Sequence, residues 1–180
     1  MSDFKHRGKN VKIHATAVIR NPELVSIGDN SIISDYALIT GEVEIGKWCH
    51  IAHYTHLSGK KKITLGDFVG ISARCSFYTS NDSFRGDSFW TPAPDGYRNP
   101  DSRPITIGNQ VMFGCNCLVM PGVYVSEGVI FGARSFIKGR YFGDALFCSD
   151  GNHKAEFVKD LQNGDFYHNK KENREKILNE

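Results

Sequence analysis

A chain of 180 residues with 22 Lys and Arg against 20 Asp and Glu, net charge +2, holds one well-filled domain and is too short for two of ordinary size. The balanced charge leaves no field for nucleic acid or an anionic membrane surface, and no apolar run of about 18 residues exists to span a bilayer. Five cysteines with no CxxC pair, and an N-terminus "MSDFKHRGKNVKIH" without an apolar stretch, predict no signal peptide and a reducing, cytoplasmic setting.

Residues 1–12 are polar and are expected to cover or flank the first structural repeat. A repeat of six then begins. Ile13 and Ile19 open it, and Ile27, Ile33, Ile39, Ile45, Ile51, Leu57 and Ile63 continue it. Leu65, Ile71 and Phe77 form a second series, shifted by two. Ile107, Phe113, Val119, Val125, Phe131 and Ile137 form a third. Four residues after most anchors stands a small or β-branched residue: Ala17, Ser31, Ala37, Val43, Cys49, Thr55, Val69, Cys75, Val111, Cys117, Val123, Val129 and Ser135. Glu23 and Lys61 break this rule where the phase shifts.

A period of six suits neither a helix nor a simple strand alternation. It suits a triangular prism in which a short strand and a turn make one face, and three hexads make one coil. The anchor points inward and the small residue fills the corner. Gly28, Gly46, Gly66, Gly108, Gly114 and Gly132 follow anchors and are expected to supply the positive φ of the turn. Roughly fifteen hexads give about five coils, or a height of about 24 Å. Cys49, Cys75 and Cys117 are then corner fillers. Cys115 and Cys148 are less determined, and the repeat places no histidine beside either.

The pattern [LIV]-G-x-x-[STAVC]-x resembles that of the hexapeptide-repeat acyltransferases, over residues 13–137. The resemblance implies an all-β, left-handed parallel β-helix, against the usual right-handed crossover. It also implies a homotrimer, with acyl-CoA lying in the clefts between subunits.

Two segments interrupt the repeat. "LSGKKKI" at 57–63 reads as a small bulge, and residues 78–104 as a long loop. A loop of that length is usually functional or disordered, and Phe84, Phe89, Trp90 and Tyr97 argue against disorder. After Lys138 the repeat fails. Residues 138–180 read as a connecting loop and a short helical segment, with Ala155, Phe157, Val158 and Leu161 as its apolar face.

In the resemblance, the long loop is a lid over the acyl-CoA cleft. Many members carry a catalytic histidine near its start, and this loop has none. "YTSNDSFRG" is similar instead to the Y-[ST]-x-[ST]-D-D-Y-[ST]-G of a branch of nucleotide-sugar N-acyltransferases acting on dTDP-4-amino-4,6-dideoxyglucose. Asp82, Phe84 and Gly86 match, and Ser83 replaces the second Asp. "TPAPDGYRN" resembles that branch's Pro-rich lid.

The chemistry points the same way. A hydroxyl nucleophile wants a base poised near neutrality, commonly His. An amine becomes far more acidic after attack, and a carboxylate can then take its proton. Asp82 is therefore the expected proton acceptor, with Asn81 and His56 beside it and Phe84, Trp90 and Tyr97 as a substrate platform. The alternative for Asp82 is an Asx turn in "SND". His50, His53 and His56 are spaced by three, but that is not the pattern of the solenoid zinc enzymes, and no metal is expected. By the resemblance, Gly114, Gly132, Ala133, Arg134, Lys138, Arg140 and Lys154 hold CoA; the alternative is a solvated basic edge. The family's G-N-P-A after the last coil appears here as "GNHKA" at 151–155.

These readings converge on transfer of an acyl group, most simply acetyl from acetyl-CoA, to the amine of a nucleotide-linked deoxyamino sugar for surface polysaccharide. The alternatives are a saccharide O-acetyltransferase with His56 as base, or a catalytically silent binding solenoid.

Overall fold

The structure is a computed structural model that describes residues 3–82, 94, 96–143, 145–149, 155–160 and 176–178. Within them the chain winds as an all-β solenoid whose strands pair in parallel with the same face of the next coil, as a left-handed β-helix requires. The first face stacks Lys12–Ile13, Ile32–Ile33, His50–Ile51, Gly70–Ile71, Met112–Phe113, Ile130–Phe131 and Ala145–Ser149. The second stacks Val18–Arg20, the start of Leu38–Ile45, the start of His56–Leu65, Ser76–Tyr78, Leu118–Val119 and Phe136–Ile137. The third stacks His6–Arg7, Val25–Ile27, the ends of the two long strands, Ile105–Ile107, Tyr124–Val125 and Arg140–Tyr141.

Six coils close and a seventh begins, slightly more than the hexads alone suggested. The difference lies at the ends. His6–Arg7 pairs with Ser26 and Ile27, so part of the polar N-terminus belongs to the prism. Arg140–Tyr141 and Ala145–Ser149 carry the stacking past Lys138.

The anchors fill the core. Every one from Ile27 to Ile137 is buried, while Ile13 and Ile19 in the first coil are partly so. From Ser31 onward the small series is buried with them, and its hydroxyls are spent on backbone. Ser31 donates to the Gly46 carbonyl at 2.8 Å and Thr55 to Ser72 at 3.1 Å. The filling changes along the axis. Aliphatic residues occupy the early coils. The late coils hold Phe77, Phe113, Phe131, Tyr141 and Phe147, with neighbouring ring centroids 4.9 to 5.7 Å apart.

The turns differ from expectation. The left-handed residues stand two places before a strand and are mostly not glycine. Asn10, Asn30, Trp48, Phe68 and Gln110 lead into the first face, and Tyr36, Tyr54, Arg74, Asn116 and Arg134 into the second. The glycines that follow the anchors are not among the positive-φ residues. Their reason is space. A Cβ on Gly28 would lie 2.6 Å from the Gly46 carbonyl carbon, and one on Gly46 would lie 2.5 Å from that of Gly66. The coils meet backbone to backbone there, and no side chain fits between.

The C-terminal segment also differs. Ala155–Asp160 is a strand, not a helix, antiparallel to Ala145–Ser149. The edge of the last coil offers a ready ladder of backbone partners, and that outweighs a weak local helical pattern. Helix is present at Lys176–Leu178.

Replacing Gly46 by Ala should force two coils apart. We expect a loss of about 1–3 kcal/mol, read as a lower midpoint in urea unfolding with an unchanged slope.

Candidate active site

Among the described residues the excursions from the stack gather at one corner, between the second and third faces. It holds Gly41 and Glu42 in one coil and 59–62 in the next, where the register slips between Gly41 and Val43. In the following coil it holds the long loop. The prism resumes at Ile105 in register with Ile63, so the insertion leaves the stack undisturbed.

The root of the loop is tightly built. The Thr79 hydroxyl donates to the Ser58 carbonyl at 2.8 Å and accepts from the Lys61 N–H at 2.9 Å. Ser80–Asn81 pairs antiparallel with Asp101–Ser102, and the two serine hydroxyls meet at 2.7 Å. Arg103 donates its N–H to the Thr79 carbonyl at 2.9 Å and forks onto Asp101 at 2.7 and 2.6 Å.

Asp82 is the first residue beyond this root. Its Oδ1 accepts from Arg98 Nη2 at 2.9 Å, with the two side chains 30% and 25% exposed. Its Oδ2 has no partner among the described residues. Asn81 lies beside it, in register with Asp101. Tyr97 is well exposed on the returning limb, its N–H donating to the Pro94 carbonyl at 3.2 Å. Phe84 and Trp90 lie outside the described residues.

His56 is near the loop but not joined to Asp82. It projects outward from the second face, and its ring meets Tyr78 edge-on at 5.4 Å. Burial, and then the Arg20 guanidinium, hold its imidazole below the ordinary value. The three spaced histidines diverge. His50 is on the first face, hydrogen-bonded to Ser34 at 2.9 Å; His53 meets the Tyr54 ring at the corner. Among the described residues no group of three His, Cys, Asp or Glu is placed to hold a metal.

The residues expected at CoA separate into two sets. Gly114, Gly132, Ala133 and Arg134 line the corner between the first and second faces. At that corner each coil donates an N–H to the coil before it: Arg74 to His53, Asn116 to Ala73, and Arg134 to Cys115. The series stops at Ala133, whose N–H and carbonyl have no partner among the described residues. An exposed amide of this kind matches the amides of a pantetheine arm, and Arg134 beside it suits a phosphate. Lys138 lies at the next corner and Arg140 on the third face beyond it. Arg140 rests over Tyr124 and Phe142, at 4.9 and 5.4 Å from their centroids. Lys154 lies outside the described residues.

Cys49, Cys75 and Cys117 are buried at the corners, as their spacing requires. Burial pushes the Cys49 thiol up to about 11, and the hydrogen bond with Cys117, then burial, push the Cys75 thiol up. Cys115 is exposed and Cys148 half-buried.

Arg98 is the residue that sequence reasoning missed. It sits sixteen residues from Asp82 in a segment without periodicity, so no spacing pointed to it.

His56 yields a test. Its NMR titration midpoint should fall below 6.5. Arg20→Gln should recover only a minor part of the shift, because burial is the larger cause. The unfolded chain takes this proton more readily, so the group's contribution to stability declines as pH drops through about 6.5.

No protein-family model matches the chain. It is 37% identical over 139 residues, 75% of this chain and 72% of the relative, to a dTDP-4-amino-4,6-dideoxy-D-glucose acyltransferase of Escherichia coli. Among solved structures it superposes on AntD, an N-acyltransferase from Bacillus cereus, in complex with dTDP and 3-hydroxybutyryl-CoA. The TM-score is 0.88 at 30% identity, covering 98% of this chain and 93% of that one. A serine-to-alanine form of AntD with dTDP-4-amino-4,6-dideoxyglucose and coenzyme A superposes with TM-score 0.86, also at 30% identity, covering 96% and 92%. With the hexad core, the lid root and these relatives together, the chain belongs to the hexapeptide-repeat β-helix acyltransferases, in the family of the dTDP-4-amino-4,6-dideoxy-D-glucose acyltransferase.

Proposed function

We propose that this protein transfers an acyl group from acyl-CoA to the amine of a nucleotide-linked deoxyamino sugar destined for surface polysaccharide, working as a cytoplasmic homotrimer. The observation that carries the reading is Asp82. It is a carboxylate at the root of the lid, with one oxygen anchored and the other open, in a loop that holds no histidine. The names of the relatives support the substrate class.

The AntD structures supply a second support. They include substitutions at a serine and at an aspartate ten residues further on. In this chain one serine precedes an aspartate by that interval, Ser72 before Asp82.

In the reaction the amine lone pair attacks the thioester carbonyl carbon. The C–N bond forms, the C–S bond breaks, and the electron pair leaves with the CoA sulfur. The nitrogen, acidified by attack, gives its proton to Asp82 Oδ2. CoA would lie along the corner of Gly114, Gly132, Ala133 and Arg134, its thioester directed to the mouth of the lid.

Asp82 and Ala133 stand at opposite edges of the second face. One chain therefore presents half a site at each edge, and a neighbouring copy completes both. The outward residues Val18, Leu38, Leu118 and Phe136 on that face are apolar, which supports association. Light scattering in dilute solution should give three times the mass of one chain. A monomer mass would overturn the shared site.

Asp82→Asn keeps shape and loses basicity. We expect kcat on an amino-sugar nucleotide to fall about 100-fold, with KM for acyl-CoA little changed. Asparagine also makes Asx turns, so unchanged kcat would assign Asp82 to the turn.

A further inference from the structure

We propose that Arg98 is a positioning residue for acyl transfer: it grips one oxygen of Asp82 and so aims the other at the incoming amine. The inference rests on the N-acyltransferase reading above.

The loop holds two arginine–aspartate pairs of different geometry. Arg103 meets Asp101 with two parallel bonds, at 2.7 and 2.6 Å, beside the root strands. That forked arrangement is the stronger and more frequent one, and it suits a structural clasp. Arg98 meets Asp82 through a single bond at 2.9 Å, Nη2 to Oδ1. Its Nε is buried and has no hydrogen-bond partner among the described residues.

A buried donor left unpaired is costly. Swinging the guanidinium to fork onto Asp82 would relieve that cost, but it would also consume Oδ2. The observed pair keeps the orphan and spares the oxygen. Such an arrangement makes little sense for loop stability alone. It makes sense if Oδ2 is reserved for a proton and the carboxylate must not rotate while the amine attacks, since small misplacements of a reacting group cost large factors in rate.

The two residues also come from opposite limbs of the lid, sixteen positions apart. Asp82 leaves the root strand and Arg98 returns toward it. The grip therefore ties the outgoing limb to the returning one.

Four variants test this, assayed with acetyl-CoA and dTDP-4-amino-4,6-dideoxyglucose: Arg98→Met, Arg98→Lys, Asp82→Asn, and Asp82→Asn with Arg98→Met. Arg98→Met should lower kcat about tenfold and leave KM for acetyl-CoA unchanged. Arg98→Lys should recover kcat to within about threefold of wild type, because one charged donor suffices for a single bond. The double variant should match Asp82→Asn alone, since Arg98 acts through Asp82.

Unchanged kcat in Arg98→Met overturns the inference while leaving a slow Asp82→Asn, and hence the proposed function, intact. So does a further loss from Arg98→Met in the Asp82→Asn background. Wild-type kcat in Asp82→Asn removes the catalytic role of Asp82 and, with it, the inference about Arg98, while the acyl transfer itself stands. If the wild-type protein acylates no amine, the proposed function fails, and the grip is then read by NMR. The Arg98 Nε–H should exchange with water at least tenfold faster in Asp82→Asn than in wild type, and equal rates overturn it.

Discussion

Parallel backbone hydrogen bonds hold each coil at a strand spacing of about 4.8 Å from the next, and everything else in this protein is arranged around that distance. Anchors stack on anchors because the register allows nothing else: Ile33 lies in register with Ile51, Ile51 with Ile71, Ile71 with Phe113 and Phe113 with Phe131. The same spacing forbids a side chain where Gly28, Gly46 and Gly66 follow one another. It also fills the interior with identical positions, so a cysteine or serine at a corner is a matter of volume and one hydrogen bond rather than of reactivity.

A stack of this kind tolerates insertion at a corner and nowhere else. A strand cannot lengthen without losing register with both neighbours, whereas a turn can open and close again so long as its two ends return to the same edge. The corner between the second and third faces uses this freedom repeatedly, in the slip at Gly41–Val43, the bulge at 59–62 and the long loop. The clasp of Thr79, Ser80, Ser102 and Arg103 closes the loop at its root. A carboxylate carried just beyond this root is held in place by the clasp and by its bond to Arg98.

The rigidity has a chemical consequence. A histidine on a flat face of the prism is fixed by its strand and stays with its neighbours, as His56 does with Tyr78. The group that must approach a reacting amine needs a segment that can be shaped separately from the stack. On the proposed function, this is why Asp82, as acceptor, belongs to the loop and the amide edge at Ala133 belongs to the coil. It is also why one chain carries the two at opposite edges of a face.

The hexad period by itself determined the solenoid, its core and the burial of Cys49, Cys75 and Cys117, because each coil repeats the same local environment and a repeated environment leaves a periodic trace. The absence of histidine from the loop and the presence of Asp82 were likewise legible, since they depend on composition within one segment. Only the tertiary structure decided the rest. Glycines read as turn formers proved to be sites of close coil approach, because the distance to the next coil is not written in the local sequence. Ala155–Asp160 became a strand because an open sheet edge offered it hydrogen bonds from residues six to fifteen positions away in the chain. Lys138 and Arg140 were separated from Arg134 by the second-face strand Phe136–Ile137, a separation in space that a linear motif does not show. Arg98 met Asp82 across a loop with no period at all, and a contact set by how two limbs fold back on each other leaves no spacing to read.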